Sequence, residues 1–219
     1  MKLPGSEVFQ IGPMLPEIHS YVSPQSRRTS GELGGLQDES AECSCTNCPD
    51  QHMPDVSLQE LRQFYVYGGT PGDFLWYPTA WLVGEEALCG IMAESPSGVE
   101  VRPVEFFRDM KCRNSVAGYV ELRIVGRVPM DLQRSGCQVE YECPICGATQ
   151  WSQWKKESGL HFTGSPEDWP DIFMMEPLIA TLVFAKPVLA QLVVERGWSP
   201  VAITRIEDAL PLEWSGQSS

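Results

Sequence analysis

The sequence predicts an α+β fold, a mixed sheet with few helices, and three observations carry that prediction. Short apolar, aromatic or alternating runs recur between Gly and Pro breaks. One C-terminal stretch has the start, the apolar face and the stop of a helix. Two Cys-x-x-Cys pairs, far apart in the chain, mark a subdomain tied together through its thiols.

The strands are read first. Glu7 to Ile11 is a short strand, whereas residues 22–42 hold Ser23-Pro24, Arg27-Arg28 and Gly31-Glu32-Leu33-Gly34-Gly35 without a sustained period and read as loop. Ser57 and Glu60 form a capping-box pattern that opens a short helix. Phe64 to Tyr67, Phe74 to Tyr77 and Trp81 to Val83 read as extended segments, separated by Gly68-Gly69 and Pro71-Gly72. Aromatic side chains this dense favour core packing over a ligand surface. Glu85 to Glu94 reads as a short helix. Gly118 to Val128 alternates Tyr119, Glu121 and Arg123 against Val120, Leu122 and Ile124, the pattern of a half-buried strand. Cys137 to Glu142 is a further strand leading into the second cysteine pair.

The last third predicts a C-terminal β-β-α-β unit. Asp171 to Met175 and Ile179 to Phe184 are its first strands. Lys186-Pro187 opens a helix, with proline in the first turn, where its missing N–H costs nothing. Val188, Leu189, Leu192 and Val193 are assigned to the buried face, Gly197 to the stop, and Val201 to Ile206 to the final strand. The organisation expected is an irregular N-terminal segment over residues 1–42, a single α+β domain over 43–212 and a tail over 213–219.

With 219 residues and 42% hydrophobic content the chain can build a proper core. No stretch approaches the roughly 20 apolar residues that cross a bilayer, and Met1 to Gly5 lacks the apolar run of an export signal. A cytoplasmic location is therefore expected. The formal net charge of −13 repels phosphate backbones, which argues against nucleic acid as a partner and for solubility or a basic protein partner.

Eight cysteines in a chain expected to stay in a reducing compartment point to metal before disulfides. Cys143-Pro144-Ile145-Cys146-Gly147 is a zinc-knuckle sequence. Two intervening residues turn both sulfurs toward one ion, Pro144 presets the turn, and Gly147 takes the positive-φ position. The partner pair is Cys45-Thr46-Asn47-Cys48, with Cys43 as an alternative to Cys45. Cys45, Cys48, Cys143 and Cys146 are thus the expected ligands of one structural Zn²⁺, in a zinc-knuckle subdomain built from two distant pairs. Four thiolates leave no coordination position for catalysis. A redox dithiol is the competing use of the spacing, but neither pair sits at the strand-to-helix turn of a βαβ unit. Cys89, Cys112 and Cys137 are expected to be small buried apolar residues.

Other chemistry is sparse. His19, His52 and His161 have no ligand spacing among themselves, and no phosphate loop or nucleophile elbow occurs. Asp73, Glu85 and Glu86 read as solvated charge rather than an acidic site. The expectation is a binding protein, not an enzyme, with no small-molecule cofactor. Trp76, Tyr77, Trp151 and Trp154 are its candidate contact anchors wherever they are exposed.

The order of these features resembles the double-CXXCG family, myxobacterial immunity proteins of the Sit (swarming inhibition) toxin systems. The matching residues are Cys45 and Cys48, the Gly72 to Trp76 segment followed by Trp81-Leu82-Val83, the full Cys-Pro-x-Cys-Gly of Cys143 to Gly147, and the strand-helix-strand tail from Ile172 to Leu212. Pro49 stands where the family has the glycine of its first motif. The resemblance implies neutralisation of a cognate protein toxin from a neighbouring cell, a basic nuclease domain being the toxin class that the acidity would suit. A zinc-ribbon adaptor or regulator of a housekeeping partner is the alternative reading.

Overall fold

A computed structural model describes residues 8–13, 21–25, 62–67, 72–77, 80–107, 115, 117–147, 149–177, 182–199 and 201–209. Over these residues the protein is α+β, mostly strand, with mixed sheets and two α-helices. The strands are β1 (Phe9–Pro13), β2 (Tyr21–Gln25), β3 (Arg62–Tyr67), β4 (Phe74–Tyr77), β5 (Ala80–Gly84), β6 (Val99–Phe107), β7 (Tyr119–Ile124), β8 (Arg127–Pro129), β9 (Val139–Glu142), β10 (Thr149–Trp151), β11 (Ile172–Glu176), β12 (Val183–Ala185) and β13 (Val201–Arg205). The helices are α1 (Glu85–Ala93) and α2 (Pro187–Arg196). Among the described residues no helix is long and apolar enough to cross a membrane.

A five-stranded sheet runs in the order β13-β1-β12-β11-β8. It is antiparallel except where β8 joins β11 in parallel. Its central strands are buried on both faces, and the residues divide between two cores with the strand period of two. Ile172 and Met174 of β11, Val183 and Ala185 of β12 and Ile11 of β1 enter the first core. Phe173, Met175, Leu182 and Phe184 enter the second. That division explains why Ile172 to Met175 is apolar without alternation.

The first core is closed by both helices and by part of the second sheet. Ala87 and Ile91 of α1, Leu189 and Val193 of α2, Trp81 and Val83 of β5, and Leu122 and Ile124 of β7 all join it. Trp198 packs there too, with its ring over Gly90, where a Cβ would come within 2.7 Å of ring carbons. The second core is closed by the segment between β8 and β11. Met130, Trp154, Leu160 and Phe162 pack on Phe173 and Phe184, and Phe162 meets those two rings edge-on at 5.3 and 5.1 Å.

The six-stranded sheet has the order β2-β3-β6-β7-β5-β4. Strand β6 changes partner midway. Residues Val99 to Pro103 pair with β7, and Val104 to Phe107 pair with β3 in parallel. Pro103 lies at this switch, where the β3 ladder has not yet begun, so its missing N–H breaks no bond on that side. Strand β2 corrects the reading of residues 22–42 as loop throughout, because Val22 to Gln25 pair with Val66 to Gln63. It sits at the sheet edge, the place where Pro24 is tolerated. Residues 26–42, the Ser57–Glu60 capping pattern and residues 178–181 lie outside the described residues.

The half-buried reading of β7 also needs correction. Leu122 and Ile124 are buried as expected, but Glu121 on the opposite face is only 2% exposed. Both faces of this part of the sheet are therefore covered.

Helix α1 begins without a side-chain cap. The Glu85 N–H donates instead to the Gly118 carbonyl at 2.8 Å, and Glu85 and Glu86 stand in the first turn, where the helix dipole favours anions. Helix α2 has Pro187 in its first turn and Gly197 as a left-handed C-cap at φ 63°, whose N–H donates to the Val193 carbonyl at 3.1 Å. Its buried residues are Leu189, Ala190 and Val193, with Leu192 partly buried. Val188, assigned to the buried face from sequence, is 61% exposed. At about 100° per residue it lies well round the helix from Val193, the centre of the packed face. The order of the sheet also separates β13 from β12, because β1 lies between them.

The two sheets are joined at Asp171. The Ser97 backbone N–H and hydroxyl donate to Asp171 Oδ2 at 2.8 and 2.7 Å, and the Asp171 N–H donates back to Ser97 Oγ at 3.0 Å. Lys186 Nζ stands 3.7 Å from the second carboxylate oxygen. Beside this knot Gly98, at φ 88°, lets its backbone lie against the Ile172 carbonyl, which a Cβ would approach to 2.0 Å. Burial pushes the Asp171 carboxyl up, but the Ser97 hydrogen bonds and Lys186 outweigh it and hold it below its ordinary value.

Two measurements check this packing. Leu189→Ala should cost about 2–5 kcal/mol in urea denaturation, whereas Val188→Ser should stay within about 0.5 kcal/mol. Asp171→Asn should cost about 1 kcal/mol near neutral pH, the low end for charged hydrogen bonds because the carboxylate is partly exposed. A depressed folded pKa contributes stability above the unfolded value of about 3.9 and loses it as pH falls through the folded value, so wild type and variant should converge below about pH 4.

Candidate functional site

The Cys143 to Gly147 sequence forms the end of a two-stranded antiparallel hairpin. Strands β9 and β10 pair with Glu142 opposite Thr149, Tyr141 opposite Gln150 and Val139 opposite Trp151. The register slips between Gln150 and Trp151, a bulge. The pairing continues outward through the Ser152 N–H to the Gln138 carbonyl at 2.8 Å, and the Gln138 N–H to Ser152 Oγ at 2.9 Å. Residues 144–146 make the turn, and the Gly147 N–H closes it on the Cys143 carbonyl at 2.9 Å. Gly147 has φ 72°, a conformation that other L-residues adopt only with strain.

Exposure along this hairpin is uneven in one informative place. From Val139 to Gly147 every residue is exposed except Cys143, which is 1% exposed. Cys146, three residues on, is exposed. Two thiols three positions apart across a glycine-closed turn fit one half of a tetrahedral thiolate site. The other expected half, Cys45 and Cys48, lies outside the described residues, as does Cys43. Among the described residues no group of three or more His, Cys, Asp or Glu is arranged to hold a metal.

The base of the hairpin is fixed to the second core. Trp154 is 2% exposed and packs there. Of the candidate contact anchors Trp154 therefore belongs to the core, and Trp151 is half-buried. Trp76 and Tyr77 lie on β4, and their side chains are outside the described residues. Val139, Tyr141 and Ile145 are exposed apolar residues that the sequence reading did not single out. Their signal was present as Val139-Glu140-Tyr141-Glu142, an alternating strand with no apolar partner strand in the sequence around it.

The remaining expected groups are structural. Cys137 packs against the second core, and burial pushes its thiol up. Cys89, expected to be buried, is exposed, because α1 buries Ala87 and Ile91 and Cys89 lies on the opposite side. Cys112 lies outside the described residues. The His161 ring Nε2 lies 2.8 Å from the Ser158 carbonyl, and its backbone N–H donates to Ser135 Oγ at 2.9 Å. His161 thus serves a turn. His19 and His52 lie outside the described residues. Asp73 Oδ2 accepts from the Ser199 N–H at 3.0 Å and its carbonyl accepts from the Gly84 N–H at 2.9 Å, while Glu85 and Glu86 are exposed. This group anchors chain segments and does not converge on a site.

Nothing lies within 4 Å of a Cβ built on Gly147, so a substitution there tests conformation alone. Gly147→Ala should destabilise the hairpin by about 1 kcal/mol, and Gly147→Asn by less. Hydrogen exchange should accelerate at the β9 and β10 amides in the alanine variant while α2 is unaffected.

No protein-family model matches the chain, and no curated protein matches it.

Proposed function

We propose that the chain is an immunity protein that binds a cognate protein toxin in the cytoplasm and neutralises it stoichiometrically, without catalysis. The observation that carries this reading is the buried Cys143 at the end of an otherwise exposed hairpin closed by Gly147 at φ 72°. It supports the zinc-knuckle reading of Cys143 to Gly147, on which the resemblance to double-CXXCG immunity proteins chiefly rests.

In this reading Cys45, Cys48, Cys143 and Cys146 hold one structural Zn²⁺ and define a zinc-knuckle subdomain. With all four positions taken by thiolate, the ion supplies cross-linking and no Lewis-acid chemistry. Pairing residues 45–48 with 143–146 closes a loop of about 100 residues, which restricts the unfolded chain. The C-terminal β-β-α-β unit then serves as scaffold, supported by the core positions of Leu189 and Val193. The net charge of −13 favours fast encounter with a cationic toxin, such as a nuclease domain.

Co-expression with the adjacent toxin gene should restore growth, and the two products should co-purify as a complex. Rescue without a complex overturns stoichiometric binding. Elemental analysis of protein purified without chelator should find about one zinc per chain, and Cys146→Ser should release it. A zinc-free protein of equal stability removes the metal from this account.

A further inference from the structure

We propose that the outer edge of β13 receives a strand of a partner protein, and that this strand has an uncharged, β-branched centre with a basic residue at each end. The inference rests on the reading of the chain as a protein-binding protein and names the surface and the partner chemistry.

β13 ends the five-stranded sheet, and its register with β1 shows which of its backbone groups look outward. Ile206 continues that register opposite Val8, and its N–H donates to the Val8 carbonyl at 3.3 Å. Bonded and non-bonded pairs alternate along an antiparallel ladder, so Thr204 and Ala202 bond to Gln10 and Gly12. Val201, Ile203 and Arg205 therefore turn their N–H and C=O groups away from β1. Among the described residues no hydrogen bond takes these outward groups.

The neighbouring edges are closed. Two residues before Val201, the Ser199 carbonyl accepts from the Phe74 N–H at 3.2 Å, and the Ser199 N–H donates to Asp73 Oδ2 at 3.0 Å. At the far side of the sheet β8 is three residues long and ends in Pro129, whose carbonyl accepts from the Thr163 N–H at 2.8 Å. Val201 to Arg205 contain neither proline nor an acidic residue, so β13 lacks the usual protection of an edge strand. Addition of a strand there is a recurrent way of binding an extended protein segment.

Side chains and charges define the occupant. Val201 and Ile203 pack with the first core, so β-branched apolar residues suit the positions beside them. Ala202 and Thr204 lie on the other face and suit small or hydroxyl-bearing neighbours. Acid stands at both ends of the open stretch, with Asp73 beside Ser199 and the exposed Glu207 and Asp208 after the strand. Arg205 is held by Asp208 at 2.6 Å and balances only one charge of that pair. Lysine or arginine is therefore favoured at each end of the incoming strand, and acid is penalised. A second copy of the chain fits poorly on the same grounds. Paired antiparallel with Ile203 opposite Ile203, it would bring its own Glu207 to Ser199, where Asp73 and Phe74 already sit.

The probe is a seven-residue peptide of alternating valine and threonine with lysine at each end, titrated into isotope-labelled full-length protein. The same peptide with glutamate at each end is the control. In the free protein the Val201, Ile203 and Arg205 amides should exchange faster than those of Ala202 and Thr204. The lysine peptide should slow exchange at those three amides, and its affinity should fall as salt rises. Asp73→Asn keeps an acceptor for the Ser199 N–H, and combined with Glu207→Gln it should weaken the peptide about fivefold with the unfolding midpoint little changed. Equal binding of the glutamate peptide, protection centred elsewhere, or slow exchange at the three amides in the free protein overturns the proposal. The toxin co-expression tests the reading beneath it. If a toxin complex forms and the three amides stay exchangeable within it, the surface is wrong and the immunity reading stands. If no toxin complex forms while the lysine peptide protects β13, the immunity reading falls and the edge stands as a docking site for another protein.

Discussion

The middle of the five-stranded sheet has no solvent face, and the rest of the chain is arranged around that constraint. β11 and β12 bury their side chains into two cores, one on each side. Two separate covers are therefore required. The helices and the β5–β7 part of the second sheet supply one, and the segment from Met130 to Trp169 supplies the other. Backbone groups inside such a sheet also need ladder partners, since an unpaired buried amide is costly. β1 meets that need for β12 and β13 at once, pairing Phe9 to Ile11 with Ala185 to Val183 and Phe9 to Pro13 with Arg205 to Val201. The N-terminal strand is thus an internal part of the core and not an appendage to it.

A doubly covered sheet must still be attached to its covers, and the attachment is polar. Asp171, one residue before β11, holds Ser97 in the loop after α1. Its backbone carbonyl accepts the Lys186 N–H, in the residue before α2, at 2.9 Å. One residue therefore reaches three elements. Nearby, Gly98 and Gly126 both lie so close to the Ile172 carbonyl that a Cβ on either would come within 2.2 Å of it. Hydrogen bonds from the Val125 and Gly126 N–H groups to the Gly98 carbonyl, at 2.9 Å each, complete the seam. Apolar burial drives the sheets together, but it is not directional. The hydrogen bonds and the two glycines set the register in which they meet.

The sequence was legible where local rules act alone. Pro187 and Gly197 bracket α2 because each suits one end of a helix, and Phe74 to Tyr77, Trp81 to Val83 and Ile172 to Met175 announce strands by composition. It was less legible where a tertiary partner decides. Val188 and Cys89 are apolar enough to be assigned inward, yet which side of a helix faces the core depends on the sheet it lands on. Glu121 reads as the polar side of an alternating strand, but a second cover over that face buries it. Residues 22–25 lack a strand-like period and contain Pro24, and they pair only because β3 offers an edge. The Ser97–Asp171 knot joins residues 74 positions apart and has no local signal. At the candidate site the Gly147 turn was readable from its motif, because Cys-Pro-x-Cys-Gly dictates its own backbone. The exposed face of β9 was not, since alternation alone does not say whether a strand will find a core.

That exposed face raises a question of stability that bears on the site. A two-stranded hairpin of this size is marginal in water unless it packs on something or is cross-linked. At its base, the Gln138–Ser152 bonds hold the two strands together, and Trp154 packs in the second core. Those contacts lie several residues from the turn, and β9 contributes no buried side chain between them. The buried Cys143 is the only inward-held group at the far end among the described residues of the hairpin. Cys143 is therefore the described position at which the proposed cross-link would act on the outer part of the hairpin. The thiolate cross-link proposed for Cys143 and Cys146 would hold the turn at that end. A turn held in this way leaves Val139, Tyr141 and Ile145 in solvent, and a surface already ordered loses less entropy on binding than one that must first order.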